Sequence, residues 1–226
     1  MKTLKKIVFQ NFVALFAVLF SSLISLALLT VRLKTTYSFF YLFLAWNLCL
    51  AWVPFVLTLY LSGKKKSSQG SFWFYFFIWL LFLPNAPYIV TDYKHLRLSD
   101  PNIVLFDAFM IGAFAVTGLL LYVLSLKQMK NILIHFTTQK VAQWIVFLIP
   151  FLCGFGVYLG RSLRWNSWDL LFNPHYVFRD LLEIVSSPFQ HYRVWGYTLF
   201  FGVFLWMLFV TVGEKIINKK RFSIFR

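Results

Sequence analysis

The chain has 226 residues, of which 60% are apolar, 22% aromatic and only 13% charged, with a formal net charge of +15. A soluble domain typically carries about 45–50% apolar and about 25% charged residues, so neither a soluble globular fold nor intrinsic disorder fits this composition. The bases lie between apolar runs, where positive-inside topology and anionic lipid headgroups account for them without nucleic acid.

A helix needs about 20 apolar residues to cross a hydrocarbon core of about 30 Å. Residues 7–31 form the first such run, behind a basic start that resembles a signal peptide. The run is too long for a signal h-region of about 7–15 residues, so it predicts an uncleaved first span, closed by Arg32 and Lys34. Further runs cover 37–61, 72–89, 103–126, 141–160 and 195–212. Backbone groups in lipid must bond internally, which makes these runs helices. The expectation is an all-α, polytopic integral membrane protein. Residues 1–226 form one transmembrane domain, a bundle of about six transmembrane helices plus one interfacial amphipathic helix.

An even number of spans places both termini on one side. With the N-terminus inside, the inner segments carry 14 Lys and Arg and the outer loops 8. This bias predicts cytoplasmic termini. Of the seven acids only Glu214 then lies inside; Asp92, Asp100, Asp107, Asp169, Asp180 and Glu183 belong to the outer side.

Three outer clusters stand out. In the first, Pro84-Asn85-Ala86-Pro87 interrupts a helix at the end of the third run. Irregular backbone at membrane depth is tolerated where protein or water surrounds it. The stretch therefore reads either as a helix stop or as a broken helix framing Asp92 and His95, about one turn apart. In the second, Asp100-Pro101 reads as N-cap and first residue of the fourth span. Asp107 lies about two turns further on, inside an apolar run. A carboxylate there costs about 2.5–3.5 kcal/mol on insertion scales and has to face protein or water. The third cluster is Arg161-Ser162-Leu163-Arg164-Trp165-Asn166-Ser167-Trp168-Asp169. Its guanidinium forks suit carboxylate or phosphate, while Asn166 and Asp169 also resemble a helix cap. Asn173-Pro174 then opens an amphipathic helix over about 175–186, with Phe178, Leu181 and Val185 expected to turn inward. Lone charges near lipid are costly, so the clusters are expected to meet in one outward pocket. It would hold Asn85, Asp92, His95, Asp107, Arg161, Arg164, Asn166 and Asp169, with Asp107 paired to Arg161 or Arg164.

Cys49 and Cys153 lie in apolar runs as buried small residues, and His135, His175 and His191 have no carboxylate at ligand spacing. No metal and no cofactor is predicted. Gly156-x-x-x-Gly160 suits close helix packing.

The strings Leu81-Phe82-Leu83-Pro84-Asn85-Ala86-Pro87-Tyr88-Ile89-Val90-Thr91-Asp92, Phe106-Asp107 and Gly156-Val157-Tyr158-Leu159-Gly160-Arg161-Ser162-Leu163-Arg164-Trp165-Asn166-Ser167-Trp168-Asp169 resemble a bacterial integral-membrane family, the one catalogued as domain of unknown function 1361. Leu105 stands where that family's pattern suggests an aromatic residue before Phe106. The resemblance implies a bacterial plasma-membrane protein and supplies no catalytic residue. Three functions remain open. One is binding of an envelope partner or an anionic ligand, including anionic lipid of the surrounding bilayer. Another is membrane-embedded catalysis on a lipid-linked or phosphorylated substrate. The third is proton-coupled transport through Asp107.

Overall fold

A computed structural model describes residues 11–64, 68–165 and 169–213. Every regular element among them is helical. Among the described residues, six helical stretches are long and apolar enough to cross a membrane: Phe12–Thr36, Phe40–Gly63, Gln69–Leu98, Val104–Leu133, Gln139–Leu163 and Tyr192–Gly213. The chain divides into two compact units, Met1–Ile132 and Leu133–Arg226. Four of the stretches belong essentially to the first and two to the second.

In the first unit, helix α1 (Phe12–Thr36) runs past the expected end of the first span. Arg32 does not close it. The side chain is buried inside the unit, so its charge is no barrier to helix. The helix stops where Tyr37 turns left-handed, with φ 51°, and its N–H bonds back to Leu33 O. After a 3-10 turn at Phe40–Leu42 comes α2 (Phe43–Gly63). Helix α3 (Gln69–Phe82) begins at Ser68, whose Oγ accepts from the Ser71 N–H.

The Pro84–Pro87 break is present. Asn85 Nδ2 donates to Phe82 O at 2.9 Å, satisfying a carbonyl left at the end of α3. A single short turn, α4 (Asn85–Tyr88), follows. The chain then winds more tightly, as a ten-residue 3-10 helix over Ile89–Leu98. Helix α5 (Val104–Leu133) starts three residues after Pro101. Asp100 caps the turn ahead of it, its Oδ1 accepting from the Asn102 N–H at 2.8 Å. The expected cap thus sits one turn early.

Helix α5 is the most enclosed span, with 67% of its apolar window buried against 22–39% for the others. Hydropathy hides a polar seam along it. Thr117 Oγ1 meets Ser21 Oγ at 2.5 Å and Ser25 Oγ at 3.1 Å on α1. Trp79 of α3 donates to Ser125 Oγ at 2.8 Å. Thr58 of α2 donates to Gln128 Oε1 at 2.7 Å, and Gln128 donates to Asn11 Oδ1 at 3.3 Å. In lipid, where apolar surfaces gain little from meeting each other, such bonds and close packing hold helices together. Gly118 supplies the close packing. A Cβ there would stand 2.3 Å from Ala86 O, so only glycine lets the broken segment lie on α5.

In the second unit, α6 (Gln139–Tyr158) is capped by Thr138, which accepts from the Val141 N–H. It ends in a π turn, Leu159–Leu163. A one-turn helix, α7 (Asp169–Phe172), leads to α8 (Pro174–Ser186), with Asn173 and Pro174 in the expected cap and first positions. Helix α9 (Tyr192–Leu208) packs along α6, ending in a second π turn at Phe209–Gly213. The close approach is made by Gly154 and Gly202: a Cβ on the first would lie 2.9 Å from Thr198 O, one on the second 2.4 Å from Phe151.

Helix α8 is amphipathic, but its inward edge differs from the expected one. Val177 and Ile184 are buried and Leu181 is half-buried, while Phe178, Leu182 and Val185 form an exposed apolar stripe. The apolar arc is wider than the packed edge, so one side of it is left over. Cys153 is buried as expected; Cys49 is exposed on its span.

Candidate functional site

The 3-10 segment organises the polar end of the first unit. With three residues per turn, positions i and i+3 eclipse, which gives three faces. Ile89, Asp92 and His95 share one. Ile89 and Asp92 are buried, and Asn47 Nδ2 of α2 donates to Asp92 Oδ2 at 2.9 Å. The His95 ring lies 4.8 Å from that of Phe43, also on α2. Val90, Tyr93, Leu96 and Ser99 follow the second face, toward α5: Tyr93 donates its hydroxyl to Ala108 O at 3.3 Å and Ser99 donates to Asp107 Oδ2 at 2.5 Å. Thr91, Lys94 and Arg97 occupy the third face, and both cations are exposed.

Asp107, fully buried, finds its guanidinium partner in Arg32 of α1. Arg32 Nε reaches Oδ1 at 2.5 Å and Nη2 reaches Oδ2 at 3.1 Å, a fork-on-fork arrangement. The remaining Arg32 donor, Nη1, goes to Thr36 Oγ1. The guanidinium also lies 5.4 Å from the centre of the Tyr41 ring, within cation–π range. Tyr41 is enclosed, and its hydroxyl turns toward Asp107 and Ser99 without hydrogen-bond geometry to either. The expected partner of Asp107 was Arg161 or Arg164. Arg32 takes that place, and Ser99 and Tyr41 complete a cluster that sequence reasoning did not assemble. A basic residue near a span end reads as a topology determinant, so nothing in its spacing marked Arg32 as an inward side chain.

The structure therefore brings Asp92 and His95 together on one face and attaches Asp107 to another. Asn85 stays with the helix break. Arg161, Arg164 and Asp169 belong to the second unit. Arg161 is half-buried in the π turn, and Arg164 is exposed, with φ 61° at the end of that turn. Trp165 Nε1 donates to Asp180 Oδ2 at 2.9 Å, tying the end of α6 to α8. Arg179 Nε lies 3.9 Å from Asp180. Asp169 opens α7; Asn166 and Trp168 lie outside the described residues. No cluster of three or more metal-ligating side chains occurs among the described residues.

Chemically, the Arg32–Asp107 part of the first unit's cluster is charge-neutral. Each internal acid has a donor, the Asn47 amide for Asp92 and the forked Arg32 guanidinium for Asp107. The exposed charges at the same end are Lys34, Lys94, Arg97 and Asp100.

A family model described as a protein of unknown function (DUF1361) matches residues 46–208. No curated protein and no solved structure matches the chain.

Proposed function

The chain belongs to the DUF1361 family, a membership that names no reaction, and we propose a multi-pass protein of the bacterial plasma membrane, the setting that the family resemblance implies, that binds an anionic envelope ligand. Both termini are assigned to the cytoplasm, following the excess of bases in the inner segments. The binding end is then the outer one, where α1 ends and α5 begins.

One observation supports this reading above others: two of the three acids at that end, Asp92 and Asp107, face inward, while three of its four Lys and Arg side chains face outward. Asp92 and Asp107 are buried and hydrogen-bonded, whereas Lys34, Lys94 and Arg97 are exposed with only Asp100 beside them in the exposed set. A net positive surface results, suited to phosphate or carboxylate. Transport through Asp107 is less favoured, because the seam below it consists of side chains bonded directly to one another. Such bonds join helices rather than line a path.

The test uses the full chain in detergent and soluble glycerol phosphate as probe. Its phosphorus resonance should broaden with the wild-type protein and recover with added salt, since exposed charges are screened within about 10 Å at 0.1 M. The double variant Lys94→Glu/Arg97→Glu should lose the broadening. Equal broadening by both proteins would contradict the assignment.

A further inference from the structure

We propose that the ligand is an anionic phospholipid, one acyl chain of which occupies a groove on the first unit while its phosphate faces Lys94 and Arg97. The headgroup half of this inference rests on the anion-binding reading above; the groove does not.

The groove has a volume of about 940 Å³. Ile24 and Leu28 of α1, Val90 and Tyr93 of the 3-10 segment, and Phe109 and Val116 of α5 form its walls. It exists because small residues line its floor. Gly112 and Ala113 leave room on α5, and the Tyr93 hydroxyl lies so close to Gly112 that a Cβ there would stand 2.6 Å from it.

Three observations select the occupant. First, the walls are almost entirely apolar, and the one hydroxyl among the α1 residues, Ser21, already meets Thr117. Water needs about 2–4 polar partners to settle in such a place, whereas hydrocarbon restores the dispersion contacts that an empty groove forfeits. Second, the groove runs along α5 from Leu105 to Leu119, about 21 Å at the helical rise. That exceeds half of a hydrocarbon core of about 30 Å, so a chain entering from the end near Asp107 can lie in it at full leaflet depth. Third, the 3-10 geometry puts the groove wall and the cationic stripe on adjacent faces of one segment. Val90 and Tyr93 line the groove, and Lys94 and Arg97, one face round, are exposed. Apolar walls beside two cations suit an anionic amphiphile, where walls alone would suit any lipid.

The experiment places the full chain in nanodiscs containing a trace of phosphatidylglycerol with a diazirine on its acyl chain. After irradiation, adducts are mapped by peptide. They should concentrate several-fold on residues 21–28 and 105–119 relative to the exposed Phe200 and Met207 of α9. Ala113→Trp, which fills the groove from a half-buried position, should remove the excess. Val116→Trp, at an exposed position on the same wall, should do likewise and covers the case in which the first variant misfolds. Lys94→Glu/Arg97→Glu should abolish the preference for phosphatidylglycerol over phosphatidylcholine carrying the same label. Even labelling of all spans, or an excess that survives both tryptophan variants, overturns the groove assignment and leaves the glycerol phosphate result standing. Groove labelling with no preference between the two lipids overturns the headgroup assignment, and with it the lipid form of the anion-binding reading.

Discussion

Arg32 and Asp107 are two residues whose placement bears directly on stability. Each alone would be a buried charge; together they form a forked pair supported by Thr36 and Ser99. Removing one member of a buried pair costs about 3–5 kcal/mol, whereas replacing both by apolar residues of similar volume is often neutral. Asp107→Ala should therefore lower abundance in the membrane and the thermal midpoint in detergent, and Arg32→Met/Asp107→Leu should recover most of the loss. A double variant no more stable than the single one would mean that the pair does more than cancel itself. The sequence marked Asp107 as needing a partner, because a carboxylate in an apolar run demands one. It did not mark which base, because guanidinium groups stand near several span ends and pairing depends on how helices rotate about their axes.

At the scale of elements, the seam along α5 and the break before it can be ranked. Thr117→Val removes contacts to Ser21 and Ser25, and interhelical hydrogen bonds in membranes average about 0.6 kcal/mol. Gly118→Ala instead forces a methyl group against Ala86 O, an overpacking that costs about 1–3 kcal/mol. Thermal unfolding in detergent should thus show Gly118→Ala as the more damaging of two small changes on one helix; the reverse order would locate the α4–α5 contact elsewhere. The break itself was legible, since two prolines three residues apart disrupt the hydrogen-bond ladder of a helix. The 3-10 winding after it was not. Asp92 and His95 share a face at either period, but only a period of three brings Tyr93 and Ser99 onto one face; at 3.6 residues per turn they would stand about 120° apart. Helix α8 was legible in extent from Asn173-Pro174 and its apolar positions. Which part of its wide apolar arc packs was decided by neighbours. Val177→Asp, at a buried site, should unfold α8 by hydrogen exchange, while Leu182→Asp should leave it folded in detergent.

For the whole molecule, length and composition gave the class directly, because six apolar runs of this length admit only spanning helices. Their grouping into four stretches and two has no counterpart in the run lengths, which are similar throughout. It follows from side-chain bonds that converge on α5 and from a glycine contact between α6 and α9. The functional account depends on which side the basic end of the first unit faces. That can be measured by placing one cysteine at Arg97 in a chain carrying Cys49→Ser and Cys153→Ser, and treating intact cells with a membrane-impermeant maleimide. The account predicts labelling of Arg97→Cys without permeabilisation, and labelling of Lys66→Cys only after it. Protection of Arg97→Cys in intact cells, with free labelling of Lys66→Cys, would contradict it.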